Sequence, residues 1–177
     1  MLELLNPVIA FDALQDFLTA GGNVLVIIMV TTFFMWALII ERLMYWSGAH
    51  AGVAKRAQRA WAARSDHKSW YAHAIRERLI SEAVQEASRF NNVIRSLVAV
   101  TPLLGLLGTV TGMVEVFDVM AVTGSSNARL MAAGISKATI PTMAGLVASL
   151  SGLIFINTFD RNVQKASHRI SDDLLIE

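Results

Sequence analysis

The residues of this 177-residue chain that could do chemistry stand in two uncharged runs. In the run 96–114, SLVAVTPLLGLLGTVTGMV, Thr101, Gly105, Gly108 and Gly112 recur at steps of four, three and four, with Thr109 one turn after Gly105. In the run 138–159, Ala138, Thr142, Gly145, Ser149 and Gly152 step by four, three, four and three. At about 3.6 residues per turn, each set shares one narrow helix face. A hydroxyl on such a face either bonds to the carbonyl one turn earlier or lines a polar path. Spacing leaves both readings open for Thr109, Thr142 and Ser149. The small residues either let another helix backbone approach closely or border a central space. Helix packing comes first for Thr101, Gly105, Gly108, Gly112, Ala138, Gly145 and Gly152.

Enzymatic chemistry finds no support. The four histidines, His50, His67, His73 and His168, lack metal-ligand spacing with a second histidine or a carboxylate. They read as solvated side chains. There is no cysteine, which excludes disulfides, thiolate catalysis and cysteine metal sites. Gly105-x-x-Gly108 sits in an apolar helix rather than a strand–turn–helix unit, so it is no phosphate loop. No nucleophile–base pair stands out. The expectation is a protein with no catalytic residues, no metal, no cofactor and no nucleic-acid partner.

The elements that carry these faces are membrane spans. The chain is 54% hydrophobic with a mean hydropathy of +0.50. Three uncharged runs, 17–40, 96–114 and 138–159, each exceed the roughly 18 residues a spanning helix needs. The expected fold is an all-α integral membrane protein, with three transmembrane helices and long helices extending into the cytoplasm. The first run is no cleaved signal, because residues 1–22 hold no Lys or Arg and Glu41-Arg42 follows it. It is rich in β-branched residues, shows no small-residue strip, and is expected to face lipid. Trp36, Tyr45 and Trp46 near its end fit the headgroup zone.

Charge sets the orientation. No Lys or Arg precedes the first span, ten lie in 42–95, two (Arg129 and Lys137) lie between the later spans, and Arg161, Lys165 and Arg169 follow. The positive-inside rule makes 1–16 a periplasmic segment, 41–95 a cytoplasmic helical domain, 115–137 a periplasmic loop and 160–177 a cytoplasmic C-terminal helix. Residues 1–16 are mildly amphipathic through Leu4, Leu5, Val8, Phe11 and Leu14. From 53 to 101 there is no Gly or Pro, which predicts almost continuous helix with a break near Ser65-Asp66. The stripe Tyr71, Ile75, Leu79, Ala83, Ala87, Phe90, Ile94 and Leu97 then predicts one long helix over 68–118, bent at Pro102. The turn Thr123-Gly124-Ser125-Ser126-Asn127 leads to a short helix, 128–136, before the third span.

No span interior contains Asp, Glu, His, Lys or Arg. Proton paths are normally marked by such a residue, so any titrating carboxylate must come from a partner. Glu115, Asp118 and Lys137 fall at the outer ends of the second and third spans, where they would border a periplasmic entrance.

Residues 101–113, TPLLGLLGTVTGM, resemble the "APLLGLLGTVxGM" segment of the MotA/TolQ/ExbB proton-channel family. Gly134-Ile135-Ser136 followed by Thr142-Met143-Ala144-Gly145-Leu146-Val147-Ala148 resembles its third-span "GIxxAxxxTxxGLxxA". The resemblance implies an inner-membrane motor subunit, a homopentamer around an ExbD-like single-span partner whose aspartate carries the protons. Proton-motive force would then reach outer-membrane transporters, such as those for iron, through a TonB-like protein. Thr109 and Thr142 match the family threonines that face that aspartate. Lys137 departs from the pattern, since many relatives have a functional glutamate there. It is free instead to pair with Glu115, Asp118 or a partner carboxylate. The short chain favours a compact ExbB-like type over a TolQ-like or MotA-like motor. A non-conducting membrane scaffold is the reading from a different class.

Overall fold

A computed structural model describes residues 7–64, 66, 69–123 and 128–174. Leu4, Leu5, Ser65 and the turn residues 124–127 of the expectations above lie outside the described residues, as do His67 and the side chains of Val8, Leu14 and His50. The elements are α1 (Pro7–Met44), a π-helical turn (Tyr45–Ala49), α2 (His50–Ala62), α3 (Trp70–Ser88), α4 (Asn91–Thr123) and α5 (Ala128–Asp173), with no strand among the described residues. Three helical stretches, Gly21–Gly48, Trp70–Val122 and Gly134–Asp173, are long and apolar enough to cross a membrane. The protein is an all-α membrane protein.

The chain divides into two compact units, Met1–Met35 with Ser96–Ser151 and Trp36–Arg95 with Gly152–Glu177. In the first unit, α1 is interrupted at Gly22, whose φ of 64° and ψ of −164° belong to glycine. A Cβ there would meet nothing within 4 Å, so backbone freedom rather than crowding selects the glycine. The first span does more than face lipid. Leu25, Ile28, Met35 and Ile39 are buried, while Ile27, Val30, Phe33, Phe34 and Ile40 are exposed. A stretch apolar on every side conceals which of its faces packs. Its threonines bond back to their own helix, Thr31 Oγ1 to the Ile27 carbonyl at 2.8 Å and Thr32 Oγ1 to Ile28 at 2.7 Å. Such bonds make a hydroxyl tolerable in an apolar setting.

The second unit has a core of Val53 and Trp61 from α2, Ala72 and Ala83 from α3, and Ile170 and Leu174 at the end of α5. Tyr45, Leu79 and Ile80 pack against it. The start of α3 is capped where a break was expected. Ser69 Oγ accepts from the Ala72 N–H at 3.2 Å, and Asp66 Oδ1 accepts from the Ser69 N–H at 3.1 Å. The C-terminal turn of α5 is capped by Arg76, which donates to the Leu174 and Ser171 carbonyls at 2.7 Å each. A cation there complements the carbonyl end of the helix dipole.

The predicted single helix over 68–118 is two helices. α3 ends at Ser88, Arg89 caps it, and Phe90 adopts a left-handed φ of 66° before α4 begins. No glycine or proline announces this break, and a left-handed conformation costs a phenylalanine about 1–2 kcal/mol. The compensation comes from a residue far back in the chain. Arg42, 2% exposed, donates from Nη1 to the Glu86 and Ala87 carbonyls at 3.2 and 3.3 Å. Its guanidinium also lies over the Tyr45 and Phe90 rings, at 4.6 and 5.7 Å from their centroids. Just beyond the break, Asn91 and Arg95 both donate to the Asp160 carboxylate.

The expected sequence of a short helix 128–136, a third span and a cytoplasmic tail is one continuous helix, α5, running through Pro141. Likewise α4 runs through Pro102.

Candidate functional site

Within the first unit, α4 and α5 meet along their small residues, and backbone touches backbone. A Cβ on Gly145 would lie 2.8 Å from the Thr101 carbonyl oxygen and 3.2 Å from the Gly105 Cα. One on Gly105 would lie 2.9 Å from the Pro141 carbonyl oxygen and 3.0 Å from the Thr142 Cα. One on Gly112 would lie 2.9 Å from the Ala138 Cβ, and one on Gly108 would strike the Pro141 ring at 2.4 Å. Thr101 is fully buried, with its hydroxyl bonded back to the Leu97 carbonyl at 2.6 Å. Gly152 is buried further along α5.

This close approach brings the two threonine hydroxyls together. Thr109 Oγ1 and Thr142 Oγ1 are hydrogen-bonded to each other. Thr142 Oγ1 also reaches the Gly105 carbonyl at 2.8 Å, and Thr109 Oγ1 reaches the same carbonyl at 3.4 Å. Thr142 therefore does not bond back along its own helix. Its partner is the carbonyl of the neighbouring helix, accessible because Gly105 has no side chain. Two hydroxyls have two protons; the bond between them uses one and leaves one for the Gly105 carbonyl. Either Thr109 donates to Thr142 and Thr142 to Gly105, or the order is reversed. The pair can thus turn over its direction by rotating two C–O bonds. Both residues are half-buried, leaving hydroxyl lone pairs for an outside group. A hydroxyl pair of this kind can relay or orient a proton without itself holding a charge.

Ser149 has a different partner. Pro102 has no N–H, so the Val98 carbonyl lacks its helical donor. Ser149 Oγ of α5 donates to that carbonyl at 2.8 Å. Serine at 149 therefore repairs what proline at 102 removes, and nothing in the sequence spacing pairs the two positions. Ser149→Ala is expected to cost about 1 kcal/mol in the wild-type background and close to nothing beside Pro102→Ala, which restores the helical donor. A thermal-unfolding double-mutant cycle in detergent measures this coupling, and additive losses would contradict it.

At the end of these helices nearest the 115–137 connection lies a cleft of about 500 Å³, all of it within the first unit. Glu115 and Lys137 line it, but Asp118 does not. The ion pair open to Lys137 with Glu115 or Asp118 does not form; all three side chains are exposed, and no ion pair among the described residues includes them. His73 and His168 are exposed, and the described residues hold no cluster of His, Asp and Glu able to bind a metal.

Residues 46–172 match the MotA/TolQ/ExbB proton channel family. The chain belongs to that family. The family match takes in α2 to nearly all of α5, including both threonines. The relatives it resembles are ExbB proteins. It is 41% identical over 73 residues to the putative biopolymer transport protein ExbB-like 3 of Synechocystis sp., over 40% of this chain and 35% of that one. It is 31% identical over 96 residues to the biopolymer transport protein ExbB of Pseudomonas putida, over 54% of this chain and 29% of that one. Against ExbB of Salmonella typhimurium the figures are 30% over 96 residues, 54% and 39%. The chain thus spans between 29% and 39% of the length of these relatives.

Proposed function

We propose that this ExbB-like protein is the ring-forming subunit of an inner-membrane proton-driven motor, and that the Thr109–Thr142 hydroxyl pair is its contribution to the proton path. The observation that carries this reading is that pair, bonded across α4 and α5 in spans that contain no charged residue. Because the spans hold no carboxylate, the proton carrier comes from a single-span, ExbD-like partner placed in the centre of a homo-oligomeric ring, a pentamer by family analogy. The threonines lower the cost of bringing that carboxyl group into the apolar interior: a neutral carboxyl donates to a free hydroxyl lone pair, and a charged one accepts a hydroxyl proton that turns away from the Gly105 carbonyl.

In the same reading the N-terminus is periplasmic and the C-terminus cytoplasmic, an orientation supported by the ten cations of 42–95. Proton-motive force supplies about 2.3 kcal/mol per charge at 100 mV, so a few protons drive a substantial conformational step. The work passes through a TonB-like protein to outer-membrane transporters, iron uptake among them. The protein has no catalytic chemistry of its own and needs no cofactor.

The test is complementation. In a bacterial strain lacking its own ring subunit, this chain with its ExbD-like partner should restore growth on a TonB-dependent iron source. Thr142→Ala should abolish that growth while leaving the subunit inserted and bound to the partner. Growth of the Thr142→Ala strain at the wild-type rate would refute the reading. No growth with the wild-type chain, together with a purified complex that contains no partner helix, would favour the scaffold.

A further inference from the structure

The cleft beside α1, α4 and α5 takes no part in the hydroxyl pair, and its lining is chemically mixed. Lys137 and Glu115 face it together with Thr111 and Asn23, and Val116 and Val119 form apolar wall. Two bends open it. Gly22 breaks α1 there, with space where a Cβ would stand. Pro141, also in the lining, has no N–H, so the Lys137 carbonyl loses its helical donor.

A cation and an anion therefore share one cleft beside apolar spans without pairing with each other or with any other described residue. Two opposite charges sharing one cleft attract each other when nothing stands between them. Their separation fits an occupant that carries both signs itself. We propose that the cleft holds the headgroup of a zwitterionic, ammonium-bearing phospholipid, with its phosphate on the Lys137 ammonium and its own ammonium on the Glu115 carboxylate. The Thr111 hydroxyl and the Lys137 carbonyl give the headgroup further hydrogen-bond partners. Val24, Val116 and Val119, all in the lining, offer the start of the acyl chains an apolar surface. A purely anionic headgroup would meet the Glu115 carboxylate and be disfavoured.

Native mass spectrometry of the purified, delipidated assembly tests this. The protein is titrated in detergent with dioleoyl phosphatidylethanolamine or dioleoyl phosphatidylglycerol. The ethanolamine lipid should be retained several-fold more than the glycerol lipid. Lys137→Met should lower retention of both by roughly tenfold, the size expected for one charge-assisted bond. Glu115→Gln should erase the preference while leaving the glycerol lipid bound at least as well as before. Asp118→Asn, outside the cleft, should change nothing. Both cleft side chains are exposed, so neither substitution removes packing. A preference for the glycerol lipid, no retained lipid, or a preference unaffected by either substitution would overturn the proposal.

Discussion

Gly145→Val should prevent α4 and α5 from docking, and the folded assembly should be lost or should melt far below wild type. The reason is geometric. The first added carbon would lie 2.8 Å from the Thr101 carbonyl oxygen and 3.2 Å from the Gly105 Cα, both of them backbone atoms. No flexible side chain is there to swing away, and the helices must separate. Overpacking of this kind costs about 1–3 kcal/mol in soluble cores, and valine adds two methyl groups to the clash, so a loss at or above the upper end is expected. Separation would also pull Thr142 Oγ1 away from the Gly105 carbonyl and from Thr109. The control is Gly52→Ala in α2, where a Cβ meets nothing within 4 Å. That change should be neutral or slightly stabilising, because alanine is the better helix former by about 1 kcal/mol. Thermal melts followed by fluorescence-detected size exclusion compare the two. A Gly145→Val protein with a wild-type melting temperature would mean that the helices do not meet as described.

The second large effect is expected at Arg42. Its guanidinium satisfies the last carbonyls of α3, at Glu86 and Ala87, and stacks against the rings of Tyr45 and Phe90. Arg42→Met should cost about 2–3 kcal/mol, the range for losing hydrogen bonds from a charged donor to buried acceptors. The loss should be local in kind, with faster amide hydrogen exchange from 86 to 95. Arg42 also forms a bidentate pair with Glu41, at 2.7 and 3.0 Å, but Glu41 is 46% exposed. That pair is screened by solvent, and Glu41→Gln should cost no more than about 1 kcal/mol. Arg42→Lys should recover only part of the loss, since an ammonium cannot serve two carbonyls, a carboxylate and two rings in one plane. If Glu41→Gln proved as damaging as Arg42→Met, the ion pair and not the helix cap would hold this region.

Much of the site was legible in the sequence because its signal is local. Uncharged runs of this length have few uses besides crossing a bilayer, and the three- and four-residue steps of Gly105, Gly108 and Gly112 fix a helix face on their own. That Thr109 and Thr142 belong together was legible only through the resemblance to a family, because spacing within a run cannot say which helix lies opposite. The features that escaped are all compensations between distant positions. Ser149 matters through the carbonyl that Pro102 leaves free, 51 residues away by the Val98 count. Phe90 turns left-handed, and the helix breaks between α3 and α4, although no glycine or proline stands there, and Arg42 arrives from α1 to cap the break. The buried stripe of α1 was hidden by its own composition, since a span apolar on every side shows no period. Gly22 had a visible glycine, but Gly21 beside it is ordinary helix. Only the backbone distinguishes them.

Proton flux through the reconstituted complex bears most directly on the central claim. This chain and the proposed single-span partner would be placed in potassium-loaded liposomes, a potential imposed with valinomycin, and proton uptake followed with a pH-sensitive dye. Thr142→Ser keeps the hydroxyl and should conduct like wild type, whereas Thr142→Ala and Thr109→Val should fall to the rate of protein-free vesicles with the partner still bound. Wild-type flux in the Ala and Val proteins would contradict the account, and would leave the two hydroxyls as a clasp between α4 and α5.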